Sequence, residues 1–181
     1  MCTASDSIFM ENVFHISEEG GIGIFHPRPS PSVNESIQGD VVYGISGQFL
    51  HNYLFPRDCP RVCFYVDKNT TAFDREKFFL GSSSSRIIAV ELVWYQRIRD
   101  TPLFCYEFNS GPFQLLDSIA GYYISYQPVK PVSVKKIDHP IDELFSRNVE
   151  LRFMPSIIPL AEEIKNSSLG FSLIRMRNAV G

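Results

Sequence analysis

Short runs rich in β-branched and aromatic residues, each closed off by Gly, Pro, Asp or Ser, dominate the first two thirds of the chain and predict strands. They are DVVYGIS (40–46), RVCFYV (61–66), RIIAVEL (86–92), LFCYEF (103–108), GYYISYQPV (121–129) and VSVKKI (132–137). An earlier stretch, NVFHISEEGGIGIFHPRPSPS (12–32), begins as a buried strand through Val13, Phe14 and Ile16 and is then broken by Gly20, Gly21 and three prolines. Pro128 and Pro131 restrict pairing, which suits an edge or bent strand. The helical spacing of Phe49, Leu50, Tyr53 and Leu54 predicts a short helix or turn over 47–55. A Thr start and a Gly stop predict another over 70–81, and GSSSS (81–85) reads as a flexible loop.

The last third changes character. Asp138 as a cap and Pro140 in the first turn predict a helix start. VELRFMP (149–155) reads as a strand and SIIPLAEEIKNSS (156–168) as a helix from Ser156, while LGFSLIRMRN fits either a helix or a strand. There are no internal repeats and no heptads. The whole predicts one α+β domain over residues 12–181, built on a curved, largely antiparallel sheet, with residues 1–11 as a flexible tail.

Composition narrows the function classes. At 181 residues, with 44% apolar and 20% charged positions, the chain has material for one real core. A formal net charge of -3 argues against a general affinity for nucleic acid or an acidic membrane, so anion binding needs a local patch. No apolar run approaches a membrane span, and MCTASDSIFMEN lacks the basic start and apolar stretch of a signal peptide, which points to the cytoplasm. Cys2, Cys59, Cys63 and Cys105 are too scattered for a disulfide framework. In an extended strand Cys59 and Cys63 lie roughly 13 Å apart. A zinc site from these and His51 lacks any CxxC spacing, so buried free thiols are the expectation and no metal is implied.

Phosphate-binding GxGxxG and GxxxxGK[ST] motifs, the GxSxG elbow and HExxH are all absent, and GGIGIF reads as a turn between strands. Three polar residues beside apolar strand positions remain: His15 in VFHIS, Tyr43 in VVYGIS and Asp117 in GPFQLLDS. Each alone has an ordinary reading: a satisfied core histidine, a packed tyrosine with a wet hydroxyl, and an aspartate bonding its own turn.

Two resemblances change the weighing. FHISEEGGI, FHPRPSP, NYLFPRDCPRV, AGYYISYQPVKPVSV and IRMRNA resemble an uncharacterised bacterial family, a domain of unknown function, across nearly the whole chain. More distantly, the order HIS, VVYGISGQFLHNYL, YEFNSGPFQLLDS and GYYISYQPVKPV is similar to the rifamycin-modifying ADP-ribosyltransferases. In those a strand with H-x-[ST], a strand with Tyr followed by a helix, a G-P turn with an acid, and an S-Y-x-S-x-E-P strand follow one another. The similarity implies an ADP-ribosyltransferase-like fold and an NAD-consuming transferase or glycohydrolase with a His-Tyr-Asp site. Asp117 would then steady an oxocarbenium-like ribose, and Glu107 is a fallback acid. Tyr43 would stack on nicotinamide, and His15, Ile16 and Ser17 would hold the ribose and carboxamide. Arg28, Arg57 and Arg61 are candidates for a pyrophosphate.

There are departures from that pattern. Ile16 stands where many relatives have Gly, Asp117 comes one residue late, and no Glu or Gln precedes the final strand. The acceptor is a small molecule or an unidentified macromolecule, with no nucleic acid and no membrane implied. The alternatives are a nucleotide- or protein-binding module without turnover and, from exposed Arg175 and Arg177, an interaction protein.

Overall fold

A computed structural model describes residues 12–30 and 36–180; the expected tail, residues 1–11, lies outside them. The strands are β1 (Val13–Ser17), β2 (Val42–Ser46), β3 (Arg61–Tyr65), β4 (Arg86–Glu91), β5 (Leu103–Phe108), β6 (Gln114–Asp117), β7 (Tyr122–Ser125), β8 (Ser133–Ile137), β9 (Glu150–Met154) and β10 (Gly170–Ile174). The α-helices are α1 (Ala72–Phe79), α2 (Tyr95–Asp100), α3 (Pro140–Ser146) and α4 (Ile158–Lys165), with 3-10 helices at Gly47–Tyr53, Leu92–Trp94 and Met176–Asn178.

The α+β class holds, but two sheets stand in place of the single curved sheet expected. One has six strands, all antiparallel, in the order β6-β7-β2-β1-β5-β8; the other has four, β10-β3-β4-β9, with β4 and β9 parallel. The division has its cause in β3 and β4, whose runs RVCFY and RIIAVE are apolar on both faces, as strands covered on both sides must be. Cys63, Ile88 and Val90 face a core shared with Ile45, Leu103 and Cys105 of the first sheet. Val62, Phe64, Ile87 and Ala89 face the other way, against Phe78 and Phe79 of α1 and Ala161 and Ile164 of α4. The free face of the six-stranded sheet carries a smaller core of Val13, Val42, Tyr106 and Phe108, with Phe25 packed edge-on against both aromatic rings.

Local differences have local causes. The helix expected over 47–55 is a 3-10 helix, and that over 70–81 is α1, where Thr71 Oγ1 accepts from the Asp74 N–H at 3.1 Å. Asp138 does not cap α3; it pairs with Lys136 at 2.6 Å, and His139 occupies the cap position. The strand expected over 121–129 ends at Ser125, whose hydroxyl binds Gln127 and turns the chain. The serine loop is not slack: the Ser84 hydroxyl lies within hydrogen-bond reach of the Arg86 and Asn148 carbonyls. The undecided tail is β10 followed by a 3-10 turn. α2 was hidden in the sequence, because WYQRIRD buries only Ile98 and shows no helical stripe.

Gly44 on β2 lets β1 approach closely. A Cβ there would overlap Val13 Cγ1 and press on the Phe113 ring. Gly44→Ala should destabilise the fold by about 1–3 kcal/mol in urea unfolding. Gly23→Ala, which meets nothing within 4 Å, should stay within about 0.5 kcal/mol.

Candidate functional site

β1 lies near the middle of the six-stranded sheet, paired with β2 through Val13↔Ser46 and Phe14↔Ile45 and with β5 along its whole length. Side chains alternate along it, so Phe14 and Ile16 enter the core between the sheets while Val13 and His15 face the smaller core. His15 is half-buried there, its ring 5.1 Å from that of Phe25. The stretch that brings Phe25 is held by Tyr106, whose hydroxyl donates to the Glu19 carbonyl and accepts the Ile22 N–H. Gly21 makes the turn with φ 77°, and the backbone pairs of Phe25 with Val129 and Arg28 with Val41 complete the cover.

The β1–β2 ladder stops short of His15, and the ring takes over. His15 Nδ1 lies 2.9 Å from the Tyr43 carbonyl. A carbonyl only accepts, so Nδ1 carries the proton and donates, leaving Nε2 as the lone-pair nitrogen of the neutral ring. Burial lowers the His15 pKa against the opposing pull of the Tyr43 bond, and the Arg57 and Arg28 charges lower it further. The ring is therefore chiefly neutral at pH 7. Nε2 has no partner among the described residues and is not sealed from solvent.

Tyr43 offers His15 its backbone, not its ring. Val42 and Gly44 share the face of Val13, so the Tyr43 side chain projects to the opposite face, and its hydroxyl meets Ser30 Oγ at 2.7 Å. The Tyr43 ring, expected to stack on nicotinamide, and the His15 ring, expected to hold the ribose, thus lie on opposite faces of the sheet. Ile16 packs between the sheets, on the face away from His15. Ser17 Oγ accepts the Glu19 N–H at 3.0 Å.

Asp117 stands apart. It ends edge strand β6, three strand spacings or about 14 Å across the sheet from β1. Its Oδ1 accepts the N–H groups of Ile119 and Ala120 at 2.8 and 3.0 Å, which makes it the organiser of its own turn. Burial raises the pKa of the Tyr65 and Tyr122 phenols, and the Asp117 charge adds to both, which places its field over those rings. Glu107 is occupied by Asn12 Nδ2 at 2.5 Å and the Ser133 hydroxyl at 2.7 Å.

The three arginines separate in the same way. Arg28 and Arg57 are exposed and act on His15. Arg61 is 2% exposed and structural. It donates to the Asn52 and Cys59 carbonyls at 2.6 and 2.7 Å, and its guanidinium lies over the Tyr53 and Phe55 rings. Cys59, Cys63 and Cys105 are buried free thiols pushed up to about 12, 12 and 11 by burial, and so unreactive. Among the described residues no three His, Cys, Asp or Glu side chains gather to hold a metal. No described helix is long and apolar enough to cross a membrane.

Sequence reasoning missed Glu18 and the bonding of the C-terminal turn to Arg57 and Asp58. Glu18 Oε1 accepts the Arg57 N–H at 2.6 Å and so joins the end of β1 to the 56–59 turn. Arg175 Nε donates to the Arg57 carbonyl and Asn178 Nδ2 to that of Asp58. The only signal was compositional, since HIS, PRDCPR and IRMRN are polar stretches lodged beside apolar runs.

The model of a family of unknown function, DUF6886, matches residues 14–179, and the chain belongs to that family. No curated protein and no solved structure matches it.

Proposed function

We propose that this member of DUF6886 binds an NAD-type dinucleotide at His15 of β1, without the acid that turnover requires. The observation that carries the reading is the state of His15: a neutral ring, its Nδ1 fixed on the Tyr43 carbonyl, its Nε2 an open acceptor, and the Arg28 and Arg57 charges beside it. A lone-pair nitrogen within the field of two cations suits a ribose hydroxyl that carries a phosphate on a neighbouring carbon. Asp117 does not fit the remaining role, being committed to its turn and about 14 Å across the sheet.

One observation favours the second reading, an ADP-ribosyltransferase or NAD glycohydrolase. The segments that resemble those enzymes occupy neighbouring strands of one sheet, in the order β6-β7-β2-β1. In that reading an acid comes from elsewhere, acting on a ribose held by His15.

NAD at millimolar concentration should raise the melting temperature, because a ligand bound only by the folded state stabilises it by mass action. His15→Ala should abolish the rise, and Tyr43→Phe, which keeps the carbonyl, should retain it. A missing rise in wild type sinks both readings. Nicotinamide release above the rate of buffer alone overturns the binding-only reading in favour of the transferase.

A further inference from the structure

Three stretches distant in sequence meet at the corner beyond β1. The turn closed by the Cys59 N–H on the Pro56 carbonyl puts Arg57 and Asp58 at its tip. β10 pairs with β3 through Ile174↔Arg61, which delivers Arg175 beside that turn. Arg175 sits in the left-handed region at φ 55°, and the chain there bends into Met176–Asn178. The bonds from Arg175 Nε to the Arg57 carbonyl, 3.1 Å, and from Asn178 Nδ2 to the Asp58 carbonyl, 2.7 Å, lock the two turns together.

The result is a concentration of like charge. Arg57 and Arg177 are exposed, Arg175 is half-buried, and none of them enters an ion pair among the described residues. Glu18 is engaged otherwise, holding the Arg57 N–H and facing Arg97 at 3.7 Å. Burial and the charges of Arg177, Arg57 and Arg61 all disfavour the charged form of Arg175, with Asp58 opposing them. Three guanidinium groups gathered around the single counter-charge of Asp58 repel one another, and a multiply charged anion set among them removes that cost. The planar fork of arginine matches phosphate oxygens two at a time.

We infer that Arg57, Arg175 and Arg177 form a diphosphate-binding site, and that the ligand of this protein is a small molecule carrying such a group. Glu18, just past β1, holds the Arg57 N–H at 2.6 Å and so ties this corner to the strand of His15; the diphosphate here and the sugar at His15 belong to one ligand. That last link rests on the dinucleotide reading; the anion site does not.

The test is calorimetric titration with inorganic pyrophosphate, ADP-ribose and adenosine. Wild type should bind pyrophosphate and ADP-ribose but not adenosine. Arg177→Gln, at an exposed residue whose side chain makes no structural bond, should weaken both on the order of tenfold, the scale of one lost charge-assisted hydrogen bond. Arg175→Gln should weaken them at least as much if it folds, and the Arg177 variant decides the matter if it does not. Absence of pyrophosphate binding, or unchanged affinity in Arg177→Gln, overturns the inference. Pyrophosphate binding without ADP-ribose binding upholds the anion site and removes the dinucleotide reading. ADP-ribose binding that ignores Arg177 does the reverse.

Discussion

Arg61→Ala should destabilise the protein by about 3–5 kcal/mol, the largest loss expected of any single arginine. The guanidinium is buried against the Tyr53 and Phe55 rings and satisfies two backbone carbonyls, those of Asn52 and Cys59. Truncation leaves both carbonyls unpaired in a site water reaches poorly, at about 1–3 kcal/mol each, and opens a cavity between the rings. Arg61→Lys should recover only part of the loss, because an ammonium cannot reproduce the fork or its contact with two aromatic faces. Urea unfolding at pH 7 measures both. A loss below about 1 kcal/mol for Arg61→Ala, the scale of an exposed arginine, would show that the side chain is not the post on which the 52–59 segment is built.

Acid should destabilise the protein well before its carboxylates are protonated. His51 is 4% exposed in the 3-10 helix after β2, and burial, aided by Arg86 and Arg147, lowers its pKa from 6.5 to about 4. The unfolded chain takes up a proton on this ring below pH 6.5, whereas the folded chain resists until about pH 4. The stability linked to the neutral ring is therefore complete above pH 6.5 and is lost as the pH falls toward 4. A shift of that size corresponds to roughly 3 kcal/mol at most. His15, lowered in the same direction, adds to the slope. Urea midpoints from pH 7.5 to 4.5 should fall steeply in wild type and more gently in His51→Gln, which cannot titrate. Parallel curves for the two proteins would contradict the assignment of the slope to His51.

The strands were legible because runs such as RIIAVE and LFCYEF are apolar enough to be nothing else, and His15 was placed correctly on the first of them. What alternation along one strand cannot tell is which face it shares with the next. The pairing of Phe14 with Ile45 decides that His15 and Tyr43 point apart, and that register depends on β2, more than twenty residues downstream. Asp117 illustrates the opposite case, since the local reading of an aspartate before SIAG as a turn residue describes its bonds fully. Arg61 was illegible for another reason. At the head of RVCFYV an arginine looks like a solvated strand end, and its burial follows from Tyr53 and Phe55 folding back over it. The arginine corner joins residues more than a hundred positions apart across a tail whose structure the sequence left open.

The most direct test of a dinucleotide at His15 is the ring itself, observed by NMR of protein labelled with 15N-histidine. Without ligand at pH 7 the His15 ring should show a protonated Nδ1 and a bare Nε2. On titration with NAD the Nε2 resonance should move as it accepts a hydroxyl proton, while Nδ1 stays fixed on the Tyr43 carbonyl. His51, buried in the 3-10 helix after β2, should not respond. An Nε2 resonance that stays in place through millimolar NAD, or one already protonated in the free protein, would contradict the proposed site.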